Sequence, residues 1–167
     1  MLKYVTKGHE PIDASYGDLN DDGILDLVII TAPINEESVL SNNGDLARDL
    51  LIFVRHNQKT DSLILALKTS KAIPKFNSCD TIDSYGGHIA WAGTLTINKS
   101  CINKLRYRSE YRFGYTLKAN DWFLDTIITE SYPYANDKYL LDTFTKKDFG
   151  TVSLRTFDIN KAKRQIR

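Results

Sequence analysis

Oxygen-bearing side chains crowd one short stretch, Asp18-Leu19-Asn20-Asp21-Asp22-Gly23-Ile24-Leu25-Asp26, which runs straight into the apolar Leu27-Val28-Ile29-Ile30. Acids or amides stand at positions one, three, five and nine of the nonamer, with glycine at six. Such spacing lets a chain coil around a hard cation: Asp18, Asn20 and Asp22 each offer a side-chain oxygen, Ile24 a backbone carbonyl and Asp26 the closing carboxylate. Calcium takes six to eight oxygens at about 2.3–2.6 Å, whereas magnesium keeps a strict octahedron and its own water, so a carboxylate-rich loop of this length favours Ca2+. Gly23 supplies the positive φ on which the loop reverses. An EF-hand is excluded, because its twelfth position must be a bidentate acid between two helices and here is Ile29 in a strand-like run. A plain polar turn uses the same residue types, but five oxygen side chains in nine positions exceed what a turn needs.

Other groupings carry less chemistry. His9, His56 and His88 show no HExxH or short paired spacing, so a zinc site has no support. There is no GxSxG elbow and no Walker loop. Of the histidines only His88, beside Gly86-Gly87, attracts notice; a thiol and base pair of Cys79 with His88 competes with a disulfide between Cys79 and Cys101, the only two cysteines. Asp80 with Asp83, or Glu110 with Asp125, could form the carboxylate pair a glycosidase needs, although sequence alone does not set their separation. Arg106, Arg108 and Arg112 form a cationic row suited to gripping an acidic partner, and equally to facing solvent. Trp91, Trp122, Tyr132 and Tyr134 are the aromatics that could stack on a sugar.

The elements that must position these groups read as β-strands. A single domain spans all 167 residues, with 22 basic against 21 acidic side chains, a balance that points to neither nucleic acid nor an anionic membrane. No apolar run reaches the length of a membrane-spanning helix. Residues 1–17 form an extended arm, and Leu25–Thr31 is a strand buried on both faces. Leu50–His56 and Ser62–Lys68 form a hairpin, Gly93–Asn98 a further strand. Strict alternation over Leu105–Leu117 puts aromatic residues on one face and the arginines on the other. Trp122–Glu130, Tyr139–Thr145 and Thr151–Phe157 follow, then a basic tail over 160–167. The segments 32–49 and 72–87 read as long loops, with a turn of helix near Asn43–Leu50. The fold class is all-β: an antiparallel meander of seven or eight strands closing as a sandwich or open barrel.

Pro11-Ile12, then Tyr16-Gly17 and the acidic nonamer, with the later Tyr111-Arg112-Phe113 and Asp121-Trp122-Phe123-Leu124, resemble a group of small exported bacterial proteins. In that group one DxNxDGxxD loop of the FG-GAP, VCBS or integrin type precedes a β-meander. The single loop and the chain length exclude the propeller that such repeats usually build. The resemblance runs from Pro11 to Phe149 and implies export and calcium, but no catalytic residue. The amino terminus has no hydrophobic signal region, which taken literally means the cytosol. Free calcium is scarce there, so the expectation is a periplasmic or secreted protein whose signal has been removed. The function expected is a non-enzymatic, calcium-stabilised protein-binding domain of the bacterial envelope. Its concrete form is an immunity protein that neutralises an antibacterial toxin. A carbohydrate-binding or adhesion module is the alternative, and an envelope hydrolase the second.

Overall fold

The computed structural model describes residues 2–36, 38, 47–56, 62–76, 83–102, 105–133 and 139–162. Its strands form two antiparallel sheets, each joined neighbour to neighbour and neither closed into a barrel. The first sheet runs β1 (His9–Gly17), β2 (Asp26–Pro33), β3 (Asp49–Arg55), β4 (Leu63–Thr69). The second runs β5 (Tyr85–Trp91), β6 (Thr94–Ile102), β7 (Leu105–Thr116), β8 (Asp121–Pro133), β9 (Leu140–Thr145). The all-β meander is therefore the fold, with nine strands among the described residues where seven or eight were expected.

Period-two alternation builds the core. Val28, Ile30, Leu50, Ile52 and Leu67 of the first sheet share one buried cluster with Leu95, Ile97, Tyr111, Phe113, Leu124 and Ile127 of the second. Each such side chain contributes about 1.5–3 kcal/mol when removed from water. β2 is buried on both faces, as its unbroken apolar run requires. Its other face joins Leu27 to Leu51 and Phe53, and the Tyr4 ring, from a 3-10 turn over Leu2–Tyr4, covers Phe53 edge-on at 5.6 Å.

Three segments differ from the expectation. The amino-terminal arm is a paired edge strand: β1 lies against β2 from His9↔Pro33 to Gly17↔Asp26, with a bulge at Ile12. An edge position tolerates Pro11, which has no N–H to donate. The second long loop ends earlier than expected, because Tyr85–Trp91 pairs with β6 as β5. Thr151–Phe157 is not a strand; it makes one bridge, Phe123↔Ser153, and then turns, with Phe157 N–H donating to the Ser153 carbonyl at 2.9 Å. Leu154 and Phe157 both face the core, and a spacing of three suits a turn rather than a strand. A short helix, α1 (Lys146–Phe149), precedes this stretch. Phe157 lies 5.4 Å from the Tyr111 ring and 5.0 Å from Phe113, closing the end of the core. The tail is anchored as far as Ala162, which is buried; residues 163–167 lie outside the described residues. Of the helical turn expected near Asn43–Leu50, residues 43–46 also lie outside them, while Asp49 and Leu50 begin β3.

The two edge strands β1 and β5 close one side of the molecule. A Cβ on Gly17 would lie 2.1 Å from the Ala90 carbonyl oxygen, so only glycine permits this approach. Beyond it, β5 turns into β6 through Ala92 (φ 43°) and Gly93 (φ 71°), two positive values that define the type I′ hairpin.

Candidate functional site

The acidic nonamer links β1 to β2 and coils on its own side chains. The Asp18 carboxylate accepts the N–H groups of Asp22 at 3.1 Å and Gly23 at 2.8 Å. Asn20 Oδ1 accepts the Asp22 N–H at 3.3 Å, and Asp22 Oδ1 accepts that of Ile24 at 2.9 Å. Gly23 has φ 80°, the positive value expected of it, and Asp21 also lies in the left-handed region at 59°. Asp26 is fully buried, its two oxygens accepting the N–H groups of Leu19 and Arg55, both at 2.9 Å. Burial pushes the Asp26 carboxyl upward; the two amides oppose this, and the negative charges of Asp22 and Asp18 add to it. A divalent cation reverses that last effect, and the oxygen-only donor set fits calcium. Among the described residues no three acidic, histidine or cysteine side chains form a ready-made cage; the loop's oxygens are turned onto its own amides.

This loop is also the joint between the sheets. Leu19 is buried in the main core, and its carbonyl accepts the Trp122 indole N–H at 2.8 Å. The Asp18 carbonyl accepts the Gly93 N–H at 2.8 Å, and the Gly93 carbonyl accepts that of Tyr115 at 2.8 Å. The loop thus holds β8, β7 and the β5–β6 turn at once.

That turn carries Trp91, which is 74% exposed on the outer face of the second sheet. Ile89, Trp91, Thr94, Thr96, Glu110, Arg112, Gly114 and Asp125 line a groove of about 470 Å³ there. The predicted alternation holds over residues 108–113 of β7, where Ser109, Tyr111 and Phe113 are buried and Arg108 and Arg112 exposed; Leu117, expected on the core face, is exposed just past the strand's end. Arg112 is paired with Glu110 on its own strand, and Arg108 stands opposite Glu130. Arg106 stands opposite Tyr132, with its side chain outside the described residues. Glu110 and Asp125 share the groove, and Asp125 also meets Lys146 at 3.3 Å. Of the sugar-stacking candidates, Trp122 is buried in the core and cannot serve; Tyr132 is exposed, its ring 5.0 Å from Tyr139, and Tyr134 lies outside the described residues.

A third cluster had no forerunner in the sequence except His88. Asp13 and Ser15 alternate on β1 and face His88 and Tyr85 of β5. Ser15 Oγ lies 2.7 Å from His88 Nε2, and His88 Nδ1 lies 3.1 Å from Asp13 Oδ2. The Tyr85 hydroxyl donates to Asp13 at 2.7 Å and lies 2.6 Å from His88 Nδ1. Burial pushes His88 down, with the Asp13 charge and hydrogen bond opposing. Burial and the bond to Asp13 push the Tyr85 hydroxyl up, so it keeps its proton. The signal that could have found this group is the Asp-x-Ser alternation, visible only once residues 9–17 are read as a strand.

Beside it Arg48, 1% exposed, grips two acids: Glu36 at 2.8 and 2.6 Å and Asp83 at 2.7 and 2.8 Å. Burial opposes its charge, but these bonds outweigh that and push it up. Asp83 is therefore committed to Arg48; Asp80, its paper partner, lies outside the described residues. Cys101 is disulfide-bonded, and Cys79, the only other cysteine, lies outside them too. No helix among the described residues is long and apolar enough to cross a membrane. No protein-family model, curated protein or solved structure matches the chain.

Proposed function

We propose that this chain is a calcium-fastened binding domain of the bacterial envelope, whose recognition surface is the outer face of the second sheet around Trp91 and Arg112. One observation carries the reading: the Asp18 carbonyl accepts the Gly93 N–H at 2.8 Å, which ties the acidic loop to the turn that presents Trp91. Asp18, Asn20, Asp22, the Ile24 carbonyl and Asp26 hold the ion. Its charge offsets the repulsion that Asp18 and Asp22 exert on Asp26. An ion bound by the folded form alone adds about 2.7 kcal/mol at a hundredfold excess over its Kd. For a domain of this size that is a rise in Tm of about 5–10 °C. Differential scanning calorimetry with calcium and then with chelator tests it. Asp18→Ala or Asp22→Ala should remove the difference; an equal Tm for wild-type protein in calcium and in chelator sinks the calcium reading.

The partner is another protein. Tryptophan and arginine are the residue types that dominate binding hot spots, and this face carries an exposed Trp91 with Arg108 and Arg112. The concrete form remains an immunity protein, exported to meet a toxin that acts in the periplasm, with Arg106 completing the row. Pull-down with the purified domain, followed by affinity measurement on any toxin it retains, is the direct measurement. Trp91→Ala and Arg112→Glu should each weaken binding about 10- to 100-fold, and unchanged affinity in both variants rejects this face.

A second reading has its own observation: Trp91 lines one groove together with Thr94, Thr96, Glu110, Arg112 and Asp125, an exposed aromatic among polar side chains, which suits a sugar. A glycan array in calcium separates the two readings. Signal lost in Trp91→Ala favours the carbohydrate module, and a blank array leaves the protein partner.

A further inference from the structure

We propose that Ser15 is a nucleophilic serine, with His88 as its base and Asp13 and Tyr85 as positioning residues, and that it takes an acyl group from a short, uncharged carboxylic ester and passes it to water. The geometry is that of an acyl-transfer relay: serine oxygen to one imidazole nitrogen at 2.7 Å, carboxylate to the other at 3.1 Å. With His88 neutral, as its burial favours, one arrangement of protons satisfies all four groups. Tyr85 donates its hydroxyl proton to Asp13, and its oxygen then accepts from His88 Nδ1–H. Nε2 is left bare, and the Ser15 hydroxyl donates to it. That tautomer is the one a general base needs.

The surroundings agree with the role. The His88 side chain is 1% exposed, whereas Ser15 is only half-buried, so an ester meets the serine before it meets the imidazole. Gly86 and Gly87 drop out of the β5–β6 register just before His88; a Cβ on Gly86 would press on Asn98 at 3.2 Å, whereas one on Gly87 would touch nothing. The open side for a small acyl group is therefore at Gly87. Asp13, partly exposed at the mouth, disfavours an anionic one.

In the first step the Ser15 oxygen bonds to the acyl carbon as the ester C–O bond breaks. The serine proton passes to Nε2 and from there to the departing alcohol. Water then attacks the acyl-serine, gives its proton to Nε2, and releases the carboxylic acid as Ser15 recovers its hydrogen. No electron is gained or lost, and no further reactant is required.

A fluorophosphonate probe tests the proposal on the full chain, with the adduct located by peptide mass spectrometry and p-nitrophenyl acetate hydrolysis followed in parallel. The expected adduct is on Ser15, absent in Ser15→Ala, with His88→Gln slowing both readouts on the order of a hundredfold or more. Because His88→Gln can disturb the β1–β5 seam, Asp13→Asn provides a second arm that a purely structural cluster would not move. The groups facing His88 are Asp13 and Ser15 from β1 and Tyr85 from β5, with Arg48 and Asp83 beyond Tyr85. Removing the one carboxylate in direct contact moves the pH midpoint of labelling downward. No adduct, an adduct on another residue, hydrolysis that persists in Ser15→Ala, or a midpoint unmoved in Asp13→Asn overturns the proposal. The binding reading stands or falls separately, since it rests on the Asp18 loop and Trp91.

Discussion

Arg48 shows how much one side chain can hold. Its guanidinium is buried, bonds both carboxylates of Glu36 and Asp83 in fork geometry, and lies over the rings of Phe76 and Tyr85 at 5.8 and 5.9 Å. Removing it leaves two acids without their cation and a void between two rings. Arg48→Ala should therefore cost about 3–5 kcal/mol, read as a lower midpoint in urea denaturation; a loss within error of zero would mean that water replaces the arginine freely. His88 makes a different prediction because burial holds its folded-state value below the ordinary one of about 6.5. Above that pH the ring is neutral in both states and its contribution is complete. As pH falls below it the unfolded chain takes a proton that the folded chain refuses, so stability declines through the folded value. Denaturation midpoints should fall more steeply with acid in wild-type protein than in His88→Gln, and parallel slopes would deny the burial.

The strands differ in how openly the sequence announces them, and the reason is position in the sheet. β7 repeats aromatic and charged residues over its whole length because it lies inside a sheet with one face on the core. β3 and β4, which pair antiparallel, are equally plain as a hairpin, although the turn expected at 57–60 lies outside the described residues. β1 and β5 are edge strands: Pro11, Gly86 and Gly87 interrupt them, and each packs on the other as well as on its partner strand. No local period records that contact. The acidic loop was legible for the opposite reason, since its spacing is local, whereas the Ser15, His88 and Asp13 cluster needs residues from two sheets. Gly17 is the point at which the edges meet. Gly17→Ala sets a methyl against the Ala90 carbonyl, and the strands must part by more than an ångström to admit it. The expected loss is about 2–3 kcal/mol, together with weakened Ser15 labelling, and calorimetry showing an unshifted Tm would mean the seam is loose.

At the level of the whole molecule the two sheets are joined by the shared core, by the β1–β5 seam, and by the acidic loop. On the proposed calcium reading the loop differs from the other two, because its strength would be adjustable from outside. Asp18 and Asp22 repel the carboxylate of the fully buried Asp26, and a bound cation would offset that repulsion. Leu19, Gly93 and Trp122 are the residues through which that change must pass, since the first bonds the third and Asp18 bonds the second. Ile52 and Leu51, in the middle of the first sheet, are held by ladder bonds away from Arg55, the β3 residue that the loop's Asp26 bonds. Hydrogen exchange followed by NMR should therefore show chelator accelerating the Leu19 and Gly93 amides and the Trp122 indole, with Ile52 and Leu51 unchanged. Asp22→Ala should reproduce the accelerated pattern even in calcium. If chelation instead speeds only the amides of residues 20–24, the ion fastens its own loop and not the two sheets, and the link from calcium to the Trp91 face is broken.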